Sequence, residues 1–401
     1  MSDHFSARDI IPPIYLDGAA TTRPHVLVVE EVARTMSDLY GNPSSPHELG
    51  VAAETSLEHA RKRVARHLGV DPRGVYFNSG ATEGNNTVIE GVARSFGHRG
   101  DGIVISGVEH PSVYEPARSL EREGFRITSV KPDSSGRLDP ERVAQCIDSD
   151  TILVSVAAVS GETGIVQPLI EISSILRGLP EPRPIFHSDL AQAIGRLPLN
   201  IESLGLDCAT ISSHKIQGPR GTGILYVRPG LHISPLLRGG GQEMGLRSGT
   251  ENLPGINGTA LALDLLHEDR DKWRSMDFRQ GLSGMLESLI PDTLVNGPAG
   301  GAGPDRAAPH ILNVSFLGIP GEVLVHALED RGIYASTGAA CSSRDRRRTN
   351  YTLTNMGLAD DRIESALRFS WSKEPPPEHA ERLVEELQDL TSSLRRITTG
   401  H

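Results

Sequence analysis

The sequence is poor in cysteine, with only Cys146, Cys208 and Cys341 among 401 residues. They lie far apart and without the short paired spacings of zinc ligands, so neither a disulfide framework nor a metal site is expected, and a thiol is left free to react. No apolar run approaches the length that spans a bilayer, and Met1-Ser2-Asp3-His4-Phe5 lacks a basic stretch followed by an apolar one. A cytoplasmic protein without membrane attachment is the expectation. Positive charge is also in deficit: 40 Lys and Arg stand against 51 Asp and Glu, a formal charge of −11. That balance argues against direct nucleic-acid binding by the whole surface and leaves room only for a local basic patch. What remains, 37% hydrophobic residues with 42 glycines and 27 prolines, fits a soluble α/β enzyme. The length suffices for one large and one small domain, each with its own core.

The run Ile211-Ser212-Ser213-His214-Lys215-Ile216-Gln217-Gly218-Pro219 sets a lysine between a β-rich run and a glycine–proline turn, which puts it at a strand end facing a cleft. Burial or neighbouring cations there would lower its pKa, so that the free amine attacks a carbonyl and forms a Schiff base. Such a lysine points to pyridoxal 5′-phosphate (PLP), which also needs an acid for its ring nitrogen, a phosphate cradle and a flat neighbour. Asp189, closing the short apolar run of Ile185 and Phe186, supplies a carboxylate at another strand end.

Apolar Ala53, Leu57, Ala60, Val64 and Leu68 recur at helical spacing, and Gly69 with Pro72 stops that helix. Val75-Tyr76-Phe77 reads as a strand that breaks at Ser79-Gly80-Ala81-Thr82, where a second helix begins. A small-residue turn of this kind leaves N–H groups at the positive end of a helix, which suits a phosphate, with Ala81 and Thr82 as the cradle. Strands over 103–106, 126–130, 152–157, 184–187, 208–212 and 223–227 alternate with helical stretches, so a mostly parallel sheet covered on both faces is predicted. Ligands of such sheets bind beyond the strand ends, and His110 follows one of them.

Gly239-Gly240-Gly241 to Asn252 reads as a loop too glycine-rich to pack, a flexible linker whose Thr250 could instead reach a phosphate or a second subunit. Beyond a helix over 255–266 lie a strand over 311–316, a helix over 321–330 and the run Ala335 to Ser343. Cys341 sits there among small polar residues, whereas Cys146 and Cys208 occupy helical and strand positions that suggest burial. An accessible thiol is the reactive one. Arg344, Arg346, Arg347 and Arg348, against the single Asp345, follow it and could lower its pKa or dock an acidic partner. In the final strand Arg368 faces away from Leu367 and Phe369, and its planar fork suits a carboxylate. Leu383, Val384, Leu387, Leu390 and Leu394 mark a closing amphipathic helix.

In this order, the motifs at 15–22, 41–45, 79–86, 109–113, 212–221, 239–252 and 339–343 resemble the cysteine desulfurases. These are PLP enzymes of fold type I related to class V aminotransferases, and the resemblance runs from Tyr15 to Trp371. It implies a large domain over 15–262 with a mostly parallel seven-stranded sheet. A smaller α+β domain, formed by 1–14 and 263–401, would carry the cysteine loop. It further implies Lys215 as the Schiff-base lysine, Asp189 on the ring nitrogen, Gln192 on the ring hydroxyl, and the ring between His110 and Ala191. Ala81, Thr82, Ser212 and His214 would hold the phosphate, with Thr250 reaching in from the other subunit of a homodimer. Arg368 would bind the carboxylate of L-cysteine, and Cys341 would take its sulfur as a persulfide, release alanine and hand the sulfur to an acceptor protein.

Three departures accompany the resemblance. Gly18 stands where the family usually carries asparagine, Ser160-Gly161-Glu162 stands for Asn-Asn-Glu, and Leu190 replaces a small residue. Two other readings stay open: a selenocysteine lyase or other PLP-dependent C–S lyase, and a weakly active scaffold in a sulfur-transfer complex.

Overall fold

A computed structural model describes residues 12–338 and 350–399. Cys341 and Arg344, Arg346, Arg347 and Arg348 lie outside the described residues. In chain order the first half contains β1 (Ile14–Tyr15), α1 (Val26–Asp38), α2 (Glu48–Leu68), β2 (Val75–Asn78), α3 (Ala81–Phe96), β3 (Gly102–Ser106), α4 (Pro111–Glu121), β4 (Arg126–Val130), α5 (Pro140–Gln145), β5 (Thr151–Ser155), α6 (Leu169–Arg177), β6 (Ile185–Asp189), β7 (Cys208–Ser212) and β8 (Gly223–Val227). The second half adds α7 (Leu253–Glu268), α8 (Arg270–Arg274), α9 (Asp277–Leu289), β9 (Thr293–Asn296), β10 (Ile311–Phe316), α10 (Gly321–Glu329), β11 (Ile333–Tyr334), α11 (Tyr351–Asn355), α12 (Asp360–Glu364), β12 (Ala366–Ser370) and α13 (Pro377–Thr399).

Seven strands form one sheet in the order β2-β8-β7-β6-β5-β3-β4. Every residue of β3, β5, β6, β7 and β8 is buried, as expected of strands with helices on both faces. Only β8 runs against the rest, antiparallel to both β2 and β7. The ten residues between β7 and β8 are too few for a parallel crossover, so the chain must return alongside itself. The predicted helix stop is met at Gly69, left-handed at φ 67°, a conformation glycine adopts without a Cβ penalty.

The second half builds a three-stranded antiparallel sheet, β12-β10-β9, around its own core of Leu282, Leu286, Phe316, Leu324, Leu383 and Leu387. Trp371 meets Phe278 edge-on, with ring centroids 4.8 Å apart. The outer helix α13 buries Leu383, Val384, Leu387 and Leu390, the face its periodicity predicts. The N-terminal strand β1 pairs in parallel with β11, and Asp17 bridges Ser370. The segment that follows β1 therefore runs from the small sheet to the carboxyl ends of the large one.

Candidate functional site

Four turns at the carboxyl ends of the large sheet, after β2, β3, β6 and β7, converge. After β2, Gly80 takes φ 150° and α3 starts at Ala81 with no side-chain cap, so the N–H groups of Ala81 and Thr82 have no acceptor inside the helix. A Cβ on Gly80 would meet nothing nearer than Ser212 Oγ, at 3.7 Å. This leaves an open donor-lined turn beside the end of β7. His214 hydrogen-bonds through Nδ1 to Thr21 Oγ1 at 3.1 Å. Burial, with Lys215 and Arg220 adding to it, pushes its pKa down to about 4, which keeps the imidazole neutral near pH 7.

Lys215 closes a single helical turn after β7. Its Nζ donates to the carbonyls of Ala19 and of Ala20, the latter at 2.8 Å, and burial together with the positive field of Arg368 pushes its pKa down to about 8. Beneath it Arg196 donates to the Lys215 carbonyl at 3.4 Å and stacks 3.9 Å above the Trp273 ring. Gln192 shares the Ala19 carbonyl, donating at 3.0 Å, and its Oε1 lies 3.1 Å from His310 Nε2.

Asp189, at the end of β6, accepts from the Ala191 N–H and from Asn85 Nδ2, both at 2.8 Å. Asn85 also donates to Ser112 Oγ at 2.8 Å, and that hydroxyl is 2.7 Å from His110 Nδ1, so one chain of hydrogen bonds fixes the carboxylate and the His110 ring together. His110 lies along the cleft as an exposed residue, yet the protein around it holds its pKa below the usual value, with Lys215 adding to the effect. The preceding Glu109 accepts from Ser106 Oγ and the Ala157 N–H at 2.6 and 2.7 Å, which ties the ends of β3 and β5. Burial raises its pKa to about 8.

Arg368 enters from β12. Its Nη1 donates to the Gly161 carbonyl at 3.0 Å, its Nη2 donates to Asp17 Oδ1 at 3.1 Å, and its Nε has no acceptor among the described residues. Lys215, Asp189, Gln192, Ala191, His110, Ala81, Thr82, Ser212, His214 and Arg368 thus gather at one place. Thr250 does not join them and is exposed on its loop. The sequence pattern missed Asn85, Asp17, Glu162 and His310. A buried polar residue in mid-helix, such as Asn85 four positions after Ala81, is the signal that was available for the first.

The loop of Thr250 corrects the expectation of a flexible linker. Glu243 within it is 4% exposed. It accepts both arms of the Arg61 fork at 2.9 Å and the Phe77 N–H at 2.8 Å. Glu243 and Met244 both take positive φ, 47° and 53°, a conformation that costs about 1–3 kcal/mol per non-glycine residue and persists only where the surroundings enforce it. Arg247 is held by Glu83 at 3.0 Å. Glycine content hid these anchors. Of the two described cysteines Cys208 is buried, while Cys146 is only partly so, because it caps the short helix α5 and does not lie within it.

The class-V aminotransferase family model matches residues 14–379. The chain is 36% identical over 388 residues to the cysteine desulfurase IscS of Methanosarcina thermophila, covering 96% of this chain and 93% of that one. The chain belongs to the cysteine desulfurases of the class-V aminotransferase family. Among solved structures, a NifS-like protein superimposes with a TM-score of 0.86 at 34% identity, covering 95% of this chain and 99% of that one. SspA in complex with cysteine superimposes at 0.76 and 29%, covering 90% and 100%. This desulfurase therefore has the fold type I architecture that its motifs implied.

The geometry accounts for two of the departures and opens a test of the third. A Cβ on Gly18 would lie 2.6 Å from the carbonyl carbon of Trp371, because the Asp17–Ser370 bridge draws the two backbones together. Leu190 is fully buried in the large core and acts as packing. At Gly161 the nearest atom to an added Cβ is Gln192 Nε2, at 3.5 Å, so this position has room. Gly18→Asn is accordingly expected to cost about 1–3 kcal/mol by overpacking, and Gly161→Asn to stay within about 0.5 kcal/mol of the parent. Thermal denaturation of the two variants checks the contrast, and equal midpoints would contradict it.

Proposed function

We propose that this desulfurase binds PLP on Lys215 and takes sulfur from L-cysteine to Cys341 as a persulfide, for delivery to an acceptor protein. The observation that carries the reading is the Lys215 amine, held with a depressed pKa where the Asp189–Asn85–Ser112–His110 chain meets Arg368. The site fits the cofactor: the uncapped start of α3 with Ser212 and His214 suits a phosphate, Asp189 is fixed for a protonated ring nitrogen, Gln192 for a ring hydroxyl, and His110 and Ala191 for its two faces. When bound, the cofactor supplies a sink for electrons released at the substrate's α-carbon.

The protein's own residues do the rest. Lys215, released from its carbonyl acceptors, moves the proton of the substrate's α-carbon. Arg368 orients the carboxylate with its fork and its Nε–H. The Cys341 thiolate attacks the substrate sulfur, an S–S bond forms as the C–S bond breaks, and the three-carbon fragment leaves as alanine after protonation. No outside oxidant is needed, because the sulfur arrives at the persulfide level with the electrons of the C–S bond left on carbon. The test is stoichiometry: yellow purified protein given L-cysteine alone should yield one alanine per persulfide on the chain. Sulfide release without persulfide would favour the lyase alternative.

Losing the charge-assisted contact of Arg368 costs about 1.5–3 kcal/mol, so Arg368→Ala is expected to raise KM for L-cysteine roughly ten- to a hundredfold. An unchanged KM would mean that another group holds the carboxylate.

The homodimer is part of the proposal. Val26, Val29 and Met36 stand 62%, 54% and 64% exposed on the outward side of α1, with Tyr40 after them at 71%. An apolar face of this kind on a soluble enzyme marks an interaction surface, and an anchored Thr250 loop that serves no site of its own chain fits a partner copy. Light scattering is expected to return twice the chain mass, and a monomer would remove Thr250 from the site. The two cores support a division close to 15–262 and 1–14 with 263–401, with α7 astride the boundary, although Trp273 and Ala308 pack in the large core and Leu16 in the small one.

A further inference from the structure

The carboxylate of Glu162 sits where several lines of the structure cross. Ser160 Oγ accepts from the N–H groups of Glu162 and Thr163 at 3.3 and 3.4 Å, forming the tight turn that presents it. Its Oε1 accepts from Asn313 Nδ2 at 2.8 Å, and Asn313 is the cross-strand partner of Arg368 in the β10–β12 ladder. Its Oε2 lies 3.8 Å from Arg368 Nη1. The Asn350 side chain stands near the same carboxylate and acts to lower its pKa. A Cβ on Gly338 would fall 1.8 Å from Glu162 Oε1 and 2.2 Å from Oε2. The acid therefore occupies the space a side chain at 338 would need, and Gly338, at φ 75°, leaves it free.

Gly338 and Asn350 are the described residues that bracket the segment holding Cys341. Ser336, two residues before Gly338, is bridged to Arg368 through both backbone groups.

We propose that Glu162 is a positioning residue for sulfur transfer: one buried carboxylate stands beside the fork of Arg368 and packs against both residues from which the Cys341 segment departs. The arginine that orients the substrate and the chain that carries the thiol are thereby referred to a single group. This rests on the assignment of Arg368 and Cys341 made above. Arg368 keeps Asp17 and the Gly161 carbonyl when Glu162 is changed, so substrate binding survives while the thiol loses its reference to the substrate sulfur.

The test compares Glu162→Gln, Glu162→Ala and Gly338→Ala in the holoenzyme, each first checked for an unchanged thermal transition and bound cofactor. Two readouts are taken. Absorbance titration with L-cysteine reports substrate binding, and a single-turnover mass measurement reports the persulfide on Cys341. The expected result is persulfide formation slowed ten- to a hundredfold in both Glu162 variants, with substrate binding within about threefold of the parent. Gly338→Ala should slow the parent strongly and the Glu162→Ala background less, because the atom it collides with is gone and only the strain of alanine at φ 75° remains. If Glu162→Ala fails to fold, the near-isosteric Glu162→Gln carries the measurement. Persulfide formation within twofold of the parent in the folded Glu162 variant, or a loss confined to substrate binding, overturns the proposal. That failure is distinguishable from failure of the underlying reading, in which Arg368→Ala leaves KM unchanged.

Discussion

Lys215→Ala is expected to abolish turnover, a loss of at least roughly 10²–10⁴-fold on the proton transfers alone, while leaving the fold intact. The side chain is half-buried and its contacts are to the Ala19 and Ala20 carbonyls, which can turn to solvent in the open cleft. Its removal therefore takes away chemistry and little packing. The parent apoprotein supplies a control that needs no turnover. With Lys215 pushed down to about 8, its amine should become reactive toward carbonyl reagents as pH rises through about 8, well below the range of surface lysines. Borohydride reduction of the holoenzyme followed by peptide mapping should place the pyridoxyl group on Lys215. Label elsewhere, or a reactivity midpoint near 10.5, would remove the lysine from its role.

Cys341→Ser is expected to reduce sulfur transfer to background while leaving cofactor content and the spectral response to L-cysteine unchanged. Cys208 is walled into β7, where burial raises its pKa well above the thiol range, and Cys146 caps α5 on the periphery of the large core. Neither joins the residues gathered around Lys215. A thiolate is required to receive sulfur, and a serine hydroxyl is far too weak an acid to replace it. The measurement is chain mass after exposure to L-cysteine: one added sulfur on the parent and none on the variant. Full sulfide release by Cys341→Ser in the presence of dithiothreitol would replace the persulfide route with direct elimination.

Much of this was legible in the sequence because local physics agreed with the fold. The strands Cys208–Ser212, Gly223–Val227 and Ile311–Phe316 are short, largely apolar or β-branched runs, and the structure begins and ends them where the runs do. The places of Lys215, Asp189 and His110 at strand ends were legible because each closes or follows such a run. What escaped depends on distant partners. The reversal of β8 is set by the length of its connection and not by its residues. The role of Glu162 needs Asn313, Gly338, Asn350 and Arg368 at once, from four separate parts of the chain. Glu243 looked like one polar residue in a glycine-rich loop until Arg61, 182 positions earlier, closed on it.

The position of β1 sets a timetable for synthesis. Ile14 and Tyr15 pair with Ile333 and Tyr334, and Asp17 bridges Ser370. The carbonyls that hold the lysine amine, Ala19 and Ala20, belong to that same early segment. At about 5–20 residues per second a ribosome delivers Ser370 roughly 20–70 s after Asp17. Throughout that interval the large sheet can assemble and the stretch after β1 can meet Gln192 and His214, yet β1 itself has no strand to pair with. The nascent chain thus lacks the partners of β1 and Asp17, and Arg368 with them, until nearly the last strand is made, and the candidate site is completed late in translation.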